Sequence, residues 1–172
     1  MRHPTLLKYT ILLIGAIAIP SAQSEAEPLS SIEIGRNYLD ALYAFDLPEL
    51  KKMLHPDAVF EDPTSAAAYP GVPWRFDGRS AILDMVRQSG NGIVHAEYHV
   101  LSEFSTGEYV VFYLEYSMDI GGEMLGAPER GFSIKVPAAT ILELQDDLVI
   151  HHVDYTNYDL MLKQMAKQSG DN

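Results

Sequence analysis

The chain has 172 residues, 47% hydrophobic and 21% charged, the balance of a folded globular protein, which sets aside disorder and fibrous repeats. Its formal net charge of −12 at pH 7 opposes a phosphate backbone, so nucleic acid is not an expected partner. With no cysteine there is no disulfide scaffold, no thiolate metal site and no cysteine nucleophile.

Residues 1–24 read as a secretory signal. Arg2 and Lys8 make a basic start, and Tyr9 to Ile19 is an apolar run, too short for the ~20 residues that span a bilayer. Cleavage after Ser24 puts Ala22 and Ser24 at the small-residue positions, with Ala26 as a second candidate; an uncleaved membrane anchor is the other reading. Cleavage removes two basic residues and no acid, taking the net charge from −12 to −14. The expected organisation is a signal peptide over 1–24 and a single domain over 25–172, exported to the periplasm or out of the cell, with no stable membrane insertion after cleavage.

Ser30 and Glu33 form a capping box, and Ile32, Gly35, Leu39, Leu42 and Tyr43 follow at helical spacing. Asp46 and Glu49 form a second box, opening a short helix to about Leu54 that His55-Pro56-Asp57 ends. Ala58 to Asp62 is a short extended piece, and Gly78 to about Ser89 a third helix. From Ile93 the period becomes two. Strands are predicted over Ile93–Ser105, Tyr109–Ile120, Gly131–Leu144 and Leu148–Tyr155, and a final helix over Asn157 to about Gln168. Pro137 lacks an amide and marks an edge or a bulge. On the last strand, alternation groups Asp154 with His152, Ile150 and Leu148, and His151 with Val149, Val153 and Tyr155.

Helices first and an antiparallel meander after them predict an α+β fold, a curved antiparallel sheet with the N-terminal helices on its concave face and a cone-shaped pocket between them. Thr64 to Phe76 has no periodicity and reads as a long loop. Its Tyr69 and Trp74 are placed to cover an apolar ligand as a lid, or else one buried aromatic pins a surface loop.

His55-Pro56-Asp57-Ala58-Val59-Phe60-Glu61-Asp62-Pro63, with Phe76-Asp77-Gly78-Arg79-Ser80-Ala81-Ile82 and the terminal Leu148 to Tyr155, resembles the nuclear-transport-factor-2-like superfamily, which includes SnoaL-like polyketide cyclases, limonene epoxide hydrolases and ketosteroid isomerases. The resemblance runs from about Ser30 to Met165. It implies a cone-like α+β barrel, related to the cystatin-like folds, and a homodimer.

Taken residue by residue, the ketosteroid isomerase pattern implies Asp62 as the proton-shuttling base and Tyr38 as the oxyanion donor, with Thr140 where those enzymes carry a protonated Asp. The epoxide hydrolase pattern puts its catalytic Asp at Asp154 and its partner Asp at Glu115. Its Arg falls at Tyr113, and its water-holding Tyr and Asn fall at Phe60 and Asp62, so that set is incomplete. The cyclase pattern gives Asp154 an acid or base role. Proton abstraction beside a carbonyl needs an acid in an apolar cavity and a donor to the enolate oxygen, and no cofactor. Asp62, Tyr38 and Asp154 are the candidate catalytic residues, and Phe60, Trp74, Tyr113, Glu115, Thr140 and His152 the candidate pocket residues.

Each has a plainer role as well: Asp62 as an acceptor of turn amides, Tyr38 as a core aromatic, Asp154 as a partner of a helix amide or of His152. His95, Glu97 and His99 share a strand face, but histidines two strand positions apart stand too far apart for one ion, so no metal is expected. The expected ligand is a small, mostly apolar, carbonyl-bearing molecule, turned over by isomerase- or cyclase-type proton transfer. A non-catalytic carrier with the same pocket and a dimeric interaction module are the alternatives.

Overall fold

The computed structural model describes residues 29–68, 70, 71, 74–122 and 131–170; the segment 1–24 read as a signal and Tyr69 of the expected lid lie outside the described residues. Three helices and two short strands open the domain: α1 (Ser31–Tyr43), α2 (Leu47–Met53), β1 (Leu54–Asp62), β2 (Trp74–Asp77) and α3 (Arg79–Gly90). Four more strands follow, β3 (Ile93–Thr106), β4 (Tyr109–Ile120), β5 (Phe132–Gln145) and β6 (Leu148–Thr156), and then α4 (Tyr158–Ser169).

The first capping box is complete. Glu33 N–H donates to Ser30 Oγ, and Ser30 N–H donates back to Glu33 Oε2 at 2.8 Å. The second is half-formed: Asp46 caps α2 through Glu49 N–H, but the Glu49 carboxylate turns to Lys52. Asn157 caps α4 by accepting from Leu160 N–H at 3.0 Å.

The six strands form one curved, unclosed sheet in the order β2-β1-β6-β5-β4-β3. Its inner face is the even-numbered set of β4 and β5, with Val110, Phe112, Leu114, Val136, Ala138 and Leu142 all buried. Helix α1 packs against this face. Gly35 is the point of closest approach, since a Cβ there would stand 2.9 Å from two ring atoms of Phe112.

The structure corrects the sequence reading in four places. The sheet is mixed, because β1 runs parallel to β6. Part of the expected 64–76 loop is structured: a 3-10 turn at Ser65–Ala67, and β2, which pairs antiparallel with β1 from Val59↔Asp77 to Asp62↔Trp74. Alternation on β6 breaks at Ile150. The β5 register steps from Glu143↔His151 to Leu144↔Val149, so one residue bulges and both Val149 and His152 face the core. Pro137 lies in a central strand with an unbroken β4 ladder. It is nonetheless a local edge: β6 ends at Thr156 opposite Ala138, and the Pro137 carbonyl on that side accepts from Asn157 N–H.

Candidate functional site

Between the inner face of the sheet and the helices lies a cavity of about 160 Å³. An apolar cavity of ~150 Å³ holds a benzene molecule, so the space suits one six-membered ring. The floor is sheet, with Phe60 and Asp62 from β1, Trp74 from β2, Tyr116 and Met118 from β4, and Asp154 and Thr156 from β6. The helices and the turn after α1 close it with Leu42, Tyr43, Phe45, Val86, Tyr158 and Met161. Most of this lining is apolar; its charged members are Asp62 and Asp154.

The two acids are brought together by the parallel pairing that the sequence did not reveal. Phe60 pairs with His152 and Glu61 with Val153, so the same register carried one step on sets Asp62 beside Asp154 on the inner face.

Their surroundings differ. Asp62 is buried and accepts three hydrogen bonds: at Oδ1 from Thr64 N–H (2.8 Å) and the Thr64 hydroxyl (2.5 Å), and at Oδ2 from the Tyr158 hydroxyl (2.8 Å). This ties the end of β1 to the turn after it and to α4. Asp154 spends Oδ1 on the Thr140 hydroxyl (2.5 Å), its cross-strand neighbour, and stands 2.9 Å from His152 Nε2. Among the described residues Oδ2 of Asp154 makes no hydrogen bond.

Behind Asp154 the network continues inward. The Tyr38 hydroxyl lies 2.9 Å from His152 Nδ1, and both side chains are fully buried. Burial, with the Asp154 charge adding to it, pushes the Tyr38 phenol far above its ordinary range, so it keeps its proton. The bond to Tyr38 engages Nδ1 and leaves Nε2 facing Asp154. Nε2 makes no hydrogen bond among the described residues despite the short separation.

Of the residues expected from sequence, Asp62, Asp154, Phe60 and Trp74 border the cavity. The other five do not. Tyr38 is sealed behind His152, which removes it as a donor to a cavity oxyanion. His152 and Thr140 are buried behind Asp154 and act on it rather than on the cavity. Tyr113 and Glu115 are odd-numbered residues of β4 and point to the outer face. Tyr113 is 49% exposed and borders an open outer hollow with Pro137, Ala139 and Tyr155, while Glu115 pairs with Lys135 at 2.8 Å.

The sequence reading missed Tyr43, Tyr116 and Tyr158 as cavity residues. Tyr116 was legible as a member of the inner face of its strand. Tyr43 and Tyr158 needed the packing of two helices at opposite ends of the chain. Among the described residues no group of three or more His, Cys, Asp or Glu side chains is placed to hold a metal ion, and no helix is long and apolar enough to cross a membrane.

Residues 36–152 match the family model for the SnoaL-like domain. A search of curated proteins finds no match. Among solved structures, one described as a SnoaL-like polyketide cyclase from Shewanella putrefaciens is 25% identical, with a TM-score of 0.72, covering 82% of this chain and 99% of that one. A second of the same description, from Shewanella denitrificans, is 24% identical with a TM-score of 0.72, covering 80% and 97%. An epoxide hydrolase of the limonene type from M. tuberculosis shares the fold at 17% identity and a TM-score of 0.63, covering 80% and 90%.

Proposed function

Because the chain belongs to the SnoaL-like domain family, a small-molecule pocket fold, we propose that it moves a proton at a carbon next to a carbonyl, on a small, mostly apolar ring-sized molecule, with Asp154 as the acid–base group. The observation that carries this reading is the state of the Asp154 carboxylate. Oδ1 is held by Thr140 and faced by His152, while Oδ2 has no hydrogen bond and its residue borders the cavity. Asp154 takes a proton from the carbon beside the carbonyl, and the C–H electron pair moves to give an enolate. The resulting carboxyl returns the proton to the same carbon or to a conjugated one. Nothing in this sequence needs a cofactor.

Cyclohexanone in D2O tests it. Wild-type protein is expected to speed exchange of the protons next to the carbonyl, followed by proton NMR. Asp154→Asn should lose the acceleration by about 10²-fold or more. Equal exchange in the variant removes Asp154 from the mechanism.

A second reading is a carrier that holds the ligand without chemistry. It is favoured by Asp62, whose three hydrogen bonds make it a structural anchor rather than a free base. We further propose that the chain is exported with removal of residues 1–24, tested by the intact mass of the protein from its own host. We also propose that it pairs as a homodimer through the outer sheet face, where Tyr113 and Tyr155 flank Ala139 in one cross-strand row. Sedimentation of Tyr113→Glu, expected to be a monomer, tests that.

A further inference from the structure

The cavity is acidic and aromatic at once. Its charged lining is Asp62 and Asp154, set beside each other by the β1–β6 register, and among the described lining residues there is no Lys or Arg. Asp62 already accepts three hydrogen bonds from Thr64 and Tyr158. Asp154 has Oδ1 engaged by Thr140, while Oδ2 has no protein donor among the described residues. A neutral apolar ligand that fills this space strips water from Oδ2 and gives it no donor in return. An anionic ligand adds a third negative charge with nothing to balance it. A cation carrying a donor meets both demands.

The rest of the wall selects the kind of cation. Tyr43, Phe45, Phe60, Trp74, Tyr116 and Tyr158 all border the cavity. Several of these rings are held by neighbours. Tyr43 stacks on Tyr98 with centroids 4.9 Å apart and lies 6.3 Å from Tyr116. Phe60 packs on the His152 ring at 4.3 Å, and Trp74 meets Phe76 edge-on at 6.3 Å. Aromatic rings attract a cation through their quadrupole, most strongly where water is excluded. A metal ion is not suited to this wall: among the described residues no three acid or imidazole side chains converge on one point, and apolar rings do not replace its hydration shell. An alkylated ammonium covers its charge with carbon and brings apolar surface of its own.

We infer that this cavity binds a small tertiary ammonium, whose single N–H donates to Asp154 Oδ2 and whose alkyl arms lie among the aromatic rings. One open carboxylate oxygen calls for one donor, and a space of about 160 Å³ suits one alkylated ring such as a piperidinium. The inference rests on the carrier reading and names its ligand class. An ammonium seated on Oδ2 occupies the oxygen that proton transfer from carbon needs, so the two uses of Asp154 are separable by experiment.

The test measures binding by NMR at pH 7 for 1-methylpiperidine, which is cationic there, for cyclohexanone, a neutral ring of the same size, and for cyclohexanecarboxylate. Wild-type protein is expected to bind the ammonium about tenfold or more tightly than the ketone and not to bind the carboxylate. Asp154→Asn should lose that preference and keep the ketone. Phe60→Leu stays apolar without the ring. It should weaken the ammonium about three- to tenfold and leave the ketone as it was. The quaternary 1,1-dimethylpiperidinium, which has no N–H, should bind more weakly than 1-methylpiperidine. Equal binding of ammonium and ketone, a preference that Asp154→Asn keeps, a quaternary ion bound as tightly as the tertiary one, carboxylate binding as tight as ammonium binding, or no binding of any ring would each overturn the inference. Exchange of cyclohexanone protons in D2O separates the two readings. An ammonium preference with exchange upholds the inference and removes the carrier reading alone, while no preference and no exchange overturns the inference and leaves a carrier of another ligand.

Discussion

Tyr38 and His152 stand 114 positions apart in sequence and share one buried hydrogen bond of 2.9 Å. Through it α1 holds the imidazole whose Nε2 faces Asp154. Replacing Tyr38 by Phe keeps the ring and leaves Nδ1 buried without a partner. The expected cost is about 1–3 kcal/mol, read by urea denaturation. Ketone affinity should change little, because Tyr38 does not border the cavity.

Asp62 has a structural duty that separates it from Asp154. Asp62→Ala orphans the Thr64 and Tyr158 donors and is expected to lower stability by about 3 kcal/mol. Asp62→Asn keeps one acceptor and should cost about 1 kcal/mol, since the Tyr158 hydroxyl is able to turn and accept from the amide. If exchange of cyclohexanone protons vanishes in a folded Asp62→Asn protein while Asp154→Asn retains it, the acid–base role belongs to Asp62.

Gly35 sets how near α1 approaches the sheet. A methyl group there meets the Phe112 ring at 2.9 Å, and that ring is fully buried. Gly35→Ala should therefore cost about 1–3 kcal/mol despite its better helix propensity. Thermal denaturation of the two proteins decides it.

The β5–β6 hairpin turns on Asp146 and Asp147, both left-handed at φ 51° and 59°. A two-residue turn with both central residues at positive φ prefers glycine at its second position. Asp147→Gly is expected to raise stability by about 0.5–1 kcal/mol and to leave ligand binding unchanged. A fall in melting temperature would contradict the turn assignment.

Three phenols, one buried and two half-buried, predict an alkaline limit. Tyr38, Tyr43 and Tyr98 are each raised above the ordinary 10.0, chiefly by burial. Above about pH 10 the unfolded chain gives up these protons and the folded chain keeps them. The folded state then holds more protons, and stability falls as pH rises. It is fully present below pH 10. Absorbance of phenolate should show a late group of tyrosines ionising together with unfolding; independent titration of all tyrosines near pH 10 would speak against these burials.

What the sequence disclosed was local. The Ser30–Glu33 capping box, the strands of period two from Ile93 onward and the final helix are each contained within one element, so capping chemistry and periodicity reveal them. The parallel contact of β1 with β6, the bulge at Ile150 and the strand at Trp74–Asp77 depend on neighbours distant in sequence, and no local pattern encodes them. The site followed the same division. Asp62 and Asp154 were legible from motif, but their adjacency was not. Tyr38 was assigned to the cavity from the resemblance alone, and the rotation of its helix, which no local pattern fixes, turns it to His152 instead. Tyr43, five positions later, takes the wall that Tyr38 was expected to occupy.

The pairing of Phe60 with His152 also bears on the order in which the molecule assembles. During synthesis from the N-terminus, β1 is made long before β6, and Tyr38 long before the histidine it binds. Until the chain has passed Thr156, the apolar sides of α1 and β1 have no native partner from that strand. Closure of so long a loop comes late and slowly, and a chain cut short of β6 should be a substrate for chaperones or proteases rather than a smaller folded domain.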